Sequence, residues 1–351
     1  MALSKKTFLS LNPQNIIIRM PNWLGDLVMA TPILADLKNY WPHAKLTVVC
    51  QGVLGAVIEH DPHIHHVISF ERSKRWKQTQ KCNENLLISL KERNYDLGVL
   101  LTNSFSSAWK FWQGNVKNKI GYSTHWRSWL LDHAIPFSPN YTQQHLVVTY
   151  KQLLEPLGIS LSNNSPTLYL TKKELENTQQ QLISHRVGPQ DLIIGINPGA
   201  AYGSAKCWLP ERFKDLTEKL LTNPRTKILF FGDKTGTPLV NEICQGLPER
   251  VINLASKTSI RELMAYIKLC HVFLTNDSGP MHVAAALNTP LVALFGSTSD
   301  IATGPYQGGT VIHKHVPCSP CYRRECPIDF RCMKRIEVEE VYQSICSYLP
   351  F

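Results

Sequence analysis

The sequence predicts an α/β fold built from two open parallel sheets, and three observations carry the prediction. Its 351 residues are more than one hydrophobic core usually serves, so two domains are expected. In each half, short runs rich in Ile, Leu and Val alternate with longer segments of helical character, as in parallel sheets covered by helices. Loops rich in Gly, Asn, Asp and Ser stand at the strand-to-helix junctions, where such sheets bind their ligands.

The first half opens with 15–20 (NIIIRM), too short for a helix and apolar enough for a buried strand. The loop 21–25 leads to a helix expected from 26 to about 39. Strands at 46–50 and 67–70, a helix at 82–93 and a strand at 96–101 follow, and a helix at about 143–157 closes the half. Turn formers and sparse apolar content make 158–166 (GISLSNNSP) the best linker. A charged helix at 172–186 precedes strands at 192–197, 227–231, 251–254, 271–275 and 290–295. Helices near 211–221, 238–245, 259–268 and 280–287 lie between them. The expected domains are 1–165 and 166–336, with a terminal helix (337–351) left to pack back on the first half.

Composition sets the outer limits. A hydrophobic content of 43% and sparse glycine (19 residues) exclude a disordered or collagen-like chain. The net charge of +10 points to an acidic partner: nucleic acid, an anionic membrane surface or a phosphorylated substrate. No apolar run approaches the ~20 residues of a membrane span. The opening MALSKKTFLSLNPQN has two lysines with no apolar run behind them and is not expected to be a secretory signal. Six of the ten cysteines are scattered, several in apolar runs (Cys50, Cys270), which suits reduced thiols in a cytosol.

Three junction loops carry candidate chemistry. In Met20-Pro-Asn-Trp-Leu-Gly25-Asp26, Gly25 permits close backbone approach, and Asp26 reads either as a helix N-cap or as a general base. In 197–208 (NPGAAYGSAKCW), the glycines, Gly199 among them, let amides converge while Lys206 supplies a point charge, a combination suited to phosphate. The spacing is not that of a Walker loop. In 275–282 (TNDSGPMH), Ser278 and Gly279 at a helix start form an anion site. There Asp277 reads as a ligand for sugar hydroxyls or as a cap, and His282 as a ligand-facing or a structural histidine. Two phosphate-suited loops in one half favour a diphosphate. With no Asp-x-Asp and no His-Glu-x-x-His in the chain, that diphosphate is to be neutralised by lysine, amides and helix dipoles rather than by a carboxylate-held ion.

Together, PNWLGD (21–26), LTNSF (101–105), NPGAAYGSAKCW, FFGD (230–233) and TNDSGPMHVAAALNTPLVALFG (275–296) resemble the ADP-heptose:lipopolysaccharide heptosyltransferases. The resemblance runs from about residue 15 to 316. It implies a GT-B architecture, two Rossmann-like domains facing across a cleft, with the acceptor on the first and ADP-heptose on the second. It also implies an inverting, metal-independent transfer with no required cofactor. By motif position Asp26 becomes the base and Lys206 the group that neutralises the leaving diphosphate. Asp277 would hold sugar hydroxyls, and Ser278 and Gly279 the diphosphate oxygens. Many relatives carry Arg after the loop lysine, where this chain has Cys207. Ala201-Tyr202 replaces a threonine-rich loop of the type I branch, which favours type II, the branch that adds the second inner-core heptose. Thr258 lies in the loop expected to reach adenine. The implied acceptor is Kdo-lipid A bearing heptose, and the implied location is the cytoplasm, peripheral on the inner membrane's cytoplasmic face; a monomer is expected.

Two features lie outside those loops. Cys318-x₂-Cys321-x₄-Cys326-x₅-Cys332 is a candidate structural zinc site, with reduced thiols or a disulfide as the alternative readings. The basic run 72–77 (RSKRWK), and Lys117, Lys119, Trp126, Arg127 and Trp129, read as solvated surface or as contacts to acceptor phosphates and an anionic leaflet. A type I or other family activity, and more remotely a zinc-containing nucleic-acid-binding protein, are the competing functions. No nucleic-acid motif supports the last, so a nucleic-acid partner is not expected.

Overall fold

The computed structural model describes residues 11–71, 76–137 and 141–350, with side chains for all of these but 76–83 and 141. The chain divides after Thr167 into two units. The first holds β1 (Asn15–Arg19), β2 (Lys45–Gln51), β3 (His66–Phe70), β4 (Leu97–Leu100), β5 (Asn118–Tyr122) and β6 (His133–Ile135). Its helices are α1 (Leu24–Met29), α2 (Pro32–Tyr40), α3 (Trp76–Glu92), α4 (Phe105–Gln113) and α5 (Leu146–Gln152). All strand pairs are parallel, in the order β3-β2-β1-β4-β5-β6. The central strands are apolar throughout because helices cover both faces: Ile16, Ile17, Ile18, Leu97 and Val99 are fully buried.

The second unit repeats the plan. It holds β7 (Leu192–Asn197), β8 (Thr226–Phe230), β9 (Val251–Asn253), β10 (Val272–Asn276), β11 (Leu291–Phe295) and β12 (Thr310–His313). Its helices are α6 (Lys172–Ser184), α7 (Pro210–Leu220), α8 (Thr237–Cys244), α9 (Ile260–Leu269), α10 (Gly279–Ala286), α11 (Asp300–Thr303), α12 (Arg331–Lys334) and α13 (Val338–Cys346). The parallel order is β12-β11-β10-β7-β8-β9. Renumbered within the unit this is the same 3-2-1-4-5-6 order as in the first, so both units are Rossmann-like. Gly195 in β7 exists because β10 lies so near: a Cβ there would stand 2.6 Å from the Phe273 ring.

The sequence reading differs from the structure at several points. The helix expected over 26–39 is two, α1 and α2, because Pro32 has no N–H to continue the ladder and Thr31 Oγ1 donates to the Val28 carbonyl at 2.9 Å instead. The helix expected at 143–157 shrinks to α5 and a separate 3₁₀ turn at Glu155–Leu157 with Pro156 inside it. The short β5, β6, α4 and β12 escaped notice because their hydrophobic runs are brief and interrupted by polar residues.

α13 lies against α7 and β11 of its own unit, and its Val341 and Ile345 are fully buried in that core. Two such side chains contribute roughly 3–6 kcal/mol of burial, which decides where a helix too short to stand alone will dock. Among the described residues, no helix is long and apolar enough to cross a membrane.

Candidate functional site

In a doubly wound sheet the ligand crevice opens where the strand order reverses, between the first and fourth strands. That point lies between β7 and β10 in the second unit, and the two loops leaving these strands are 197–208 and 275–282. Sequence placed the candidate residues on these loops, and topology makes the loops neighbours.

Asn276 joins them. It is fully buried, accepts the Trp208 N–H at 3.0 Å and donates to the Pro198 carbonyl at 2.6 Å. Asn197 donates to the Gly199 carbonyl at 3.0 Å and to Ser278 Oγ at 3.4 Å, while Thr275 and Ser278 hydroxyls share a hydrogen bond of 2.9 Å. Neither asparagine stands out in the sequence as a binding residue. Their signal was a polar amide at the very end of an apolar strand, twice.

Within this frame Lys206 Nζ and Asp277 Oδ2 form an ion pair, with the side chains 13% and 5% exposed. Thr298 Oγ1 donates to the same carboxylate oxygen at 2.5 Å. Asp277 therefore is no helix cap: Ser278 occupies that position, and no side chain caps α10. Pro280 has no N–H and the Met281 N–H donates to the Ser278 carbonyl at 3.1 Å, so the amides of Ser278 and Gly279 are those left for an anion, and the space over Gly199 is open. Tyr202 lies under the lysine, its ring centroid 4.8 Å from Nζ, and Tyr202 OH donates to the Tyr322 carbonyl at 2.6 Å. Gly203 lets the loop pass the Arg324 backbone, with which any Cβ would collide. His282 is buried in the first turn of α10, and Thr258 is half-buried in the β9–α9 loop beside the capping box of Ser259 and Glu262. Cys207, half-buried, has its thiol pushed up by burial and directs it at the Gly203 carbonyl.

In the first unit the corresponding loops leave β1 and β4. Arg19, buried, donates to the Val49 carbonyl at 3.1 Å, the Met20 carbonyl at 2.5 Å and Asn22 Oδ1 at 2.5 Å, and so holds the start of the 20–26 loop. Burial pulls its guanidinium down to about 10. Gly25 is buried and Asp26 half-buried. Asp26 is the third residue of α1, not its N-cap, which is Trp23. Tyr150 OH, from α5, donates to Asp26 Oδ1 at 3.4 Å; burial first, and the Asp26 charge second, raise the tyrosine well above its ordinary value. Tyr150 is a neighbour of Asp26 that sequence does not single out.

Arg127 organises the other loop. Fully buried, it donates to the carbonyls of Tyr122 (2.9 Å) and Thr102 and to Asn103 Oδ1 at 3.2 Å, and burial lowers it to about 10. This corrects the expectation that Arg127 and Lys119 offer charge to an acceptor. Lys119 is likewise buried, tied to Asp132 at 2.8 Å and the Val116 carbonyl at 3.0 Å. What the surface does offer is aromatic: Trp126 is 93% exposed and Trp129 65%, and Trp129 belongs to a cluster with Phe105, Trp109 and Trp112. The basic run 72–75 lies outside the described residues, as do the side chains of Trp76 and Lys77.

The cysteine-rich segment wraps the second unit's sheet end. Cys318 and Cys321 are exposed, Cys326 half-buried and Cys332 buried. Burial raises the Cys332 thiol, and the nearby thiols of Cys326, Cys318 and Cys321 add to the shift. The Cys321 and Tyr322 N–H groups both donate to the Ser297 carbonyl, at 3.1 and 2.7 Å.

Two Rossmann-like units, one with a lysine and an uncapped helix N-terminus at its switch point, the other with a carboxylate, match the plan of a GT-B glycosyltransferase. The model of glycosyltransferase family 9 (heptosyltransferase) matches residues 84–330. A Campylobacter jejuni protein named lipooligosaccharide heptosyltransferase 2 is 33% identical over 95% of this chain and 98% of its own. An Escherichia coli lipopolysaccharide heptosyltransferase 3 is 28% identical over 82% and 85%. The solved structure of E. coli ADP-heptose LPS heptosyltransferase II superimposes with a TM-score of 0.80 at 24% identity, covering 95% of this chain and 98% of that one. The chain belongs to glycosyltransferase family 9, the heptosyltransferases.

Proposed function

We propose that this enzyme moves heptose from ADP-heptose to the first heptose of the lipopolysaccharide inner core, the type II reaction. The Lys206–Asp277–Thr298 cluster beside the uncapped N-terminus of α10 carries the reading, because it supplies a cation and free amides for a diphosphate and a buried carboxylate for sugar hydroxyls. Relatives named heptosyltransferase 2 support this reading of donor and acceptor.

In an inverting displacement the acceptor hydroxyl attacks the anomeric carbon, its proton passes to the Asp26 carboxylate, and the bond to the diphosphate breaks with its electron pair leaving on ADP. Lys206 and the α10 amides stabilise that departing charge. Tyr150 positions Asp26 through its hydrogen bond, and Arg19 holds the loop that carries it. Gly199 leaves room for the diphosphate, Gly25 for the acceptor, and Thr258 borders adenine. The acceptor is a lipid-borne sugar, which the exposed tryptophans of the first unit suit at a membrane interface.

The 28% identity to a heptosyltransferase 3 favours that activity as the second reading. Transfer from ADP-heptose to purified Kdo-lipid A acceptors bearing no, one or two heptoses, in the presence of EDTA, tests both. Product on the acceptor bearing only the first heptose establishes type II, and product that requires an acceptor already carrying two heptoses favours the heptosyltransferase 3 reading. Transfer to the heptose-free acceptor reassigns the enzyme to type I, and failure on every acceptor with folded protein refutes the substrate.

A further inference from the structure

Two residues beyond Thr298, Asp300 converges with His313 and His315. Asp300 is the first residue of α11, and His313 is the last residue of β12. His313 Nδ1 lies 3.0 Å from Asp300 Oδ1, and His315 Nε2 lies 3.7 Å from Asp300 Oδ2. One ligand atom from each falls within 4.8 Å of the other two, the only such trio of His, Cys, Asp or Glu among the described residues. His315 reaches this position by adopting a left-handed backbone (φ +40°), unfavourable for a residue with a Cβ, which brings its ring centroid 4.0 Å from that of His313.

The protonation of His313 follows from its other neighbour. Ser319 Oγ donates its one proton to the Gly296 carbonyl, so toward His313 Nε2, at 2.8 Å, it accepts, and Nε2 carries the N–H. A neutral imidazole protonated at Nε2 turns its Nδ1 lone pair on a carboxylate oxygen 3.0 Å away, in a side chain only 2% exposed. Two acceptors at that distance require a positive charge between them. A proton answers for that one contact; a divalent ion answers for it and for His315 together. Ligand atoms sharing a zinc ion at bonds of ~2.0–2.2 Å stand about 3.3–3.6 Å apart in a tetrahedron; here each histidine nitrogen faces its own oxygen of Asp300, at 3.0 and 3.7 Å, and one ligand atom from each residue falls within 4.8 Å of the other two.

We propose that Asp300, His313 and His315 form a site for a divalent transition-metal ion of the zinc type, completed by water, with Ser319 as the positioning residue that orients His313. The ion would fasten the exit of β12, and the cysteine-bearing segment that begins three residues after His315, to α11.

The test is titration of the chelator-stripped, full-length protein with Co²⁺ and then Zn²⁺, followed by calorimetry and absorption. Thiolate-bound cobalt shows intense near-ultraviolet charge transfer, whereas imidazole and carboxylate ligation does not, so the cysteines are read separately in the same sample. The expected result is one equivalent bound without charge transfer. It should weaken roughly 100-fold in His315→Ala, whose side chain is 65% exposed and dispensable for folding, and about tenfold or more in Ser319→Ala. Binding that is unchanged in His315→Ala, cobalt held wholly on thiolates, or no binding at all would overturn the site; in the last case a proton holds His313 to Asp300.

Discussion

Replacing Lys206 by Met leaves Asp277 as a carboxylate 5% exposed in its side chain, with the Thr298 hydroxyl as its remaining charge-balancing contact. Breaking a buried pair on one side costs about 3–5 kcal/mol, because the other charge stays desolvated. The Thr298 hydrogen bond and the partial exposure of Lys206 bring the figure to the lower end, about 3 kcal/mol, or roughly 6–12 °C in Tm for a unit of this size. Asp277→Asn alone strands the lysine, which reaches water more readily, and should cost about 2 kcal/mol. The double variant has no charge to strand, and Thr298 keeps an amide oxygen as acceptor. It should therefore cost only about 1–2 kcal/mol, giving a coupling of about 3–4 kcal/mol. Urea unfolding of the four proteins measures this, and ADP added to each adds a second readout. At 100 times its Kd, ADP should stabilise the wild type by about 2.7 kcal/mol and Lys206→Met, at the same concentration, far less. Additivity of the two single changes in the double variant would refute the pairing, and an undiminished ADP shift in Lys206→Met would refute the lysine's role toward the diphosphate.

Asp26→Asn keeps the shape of α1 and should lower kcat by 10²–10⁴-fold (about that range for a lost general base) with Tm little changed; normal turnover removes Asp26 as the base. Glu174 receives both arms of Arg261, at 2.6 and 2.7 Å, and the Thr171 N–H at 2.7 Å, and the Arg261 bonds lead in holding its carboxyl down at about 2. A depressed carboxyl stabilises the fold above its unfolded value near 4.5 and loses that contribution as pH falls toward 2, so Glu174→Gln should be about 1–2 kcal/mol less stable at pH 7, with the gap closing across that window in thermal unfolding. A gap that widened on acidification would contradict the assignment. Replacing Trp126 and Trp129 by Ser should reduce flotation with anionic liposomes without lowering Tm; unchanged flotation would place membrane contact elsewhere.

Much of the fold was legible along the chain because each central strand is a local run with one reading. LIIGIN is buried at every position and reads as a covered parallel strand whatever surrounds it. The site loops were legible for the same reason: TNDSG and NPGAAYGSAK join a strand end to a helix start, and a helix N-terminus makes its own anion site. The edge strands β6 and β12 were not, since three or four residues, all half-buried but Ile312, carry no periodic signal of their own.

Partnership across the chain was decided only in three dimensions. Lys206 and Asp277 stand 71 residues apart, and Asp26 and Tyr150 stand 124 apart; no spacing announces either pair. Arg127 and Lys119 read as surface cations because their neighbours are tryptophans and polar residues. Yet both are buried, since the carbonyls of a loop some 25 residues earlier need a donor and the Asp132 carboxylate needs a cation. Sequence by itself determined most of the elements and their doubly wound alternation, and it pointed to the loops proposed to hold the chemistry, because those rest on local propensity and short-range hydrogen bonding. The tertiary structure alone decided which charges are spent on holding loops and which remain for a ligand, because burying a charge is tolerable only beside a partner the fold brings to it.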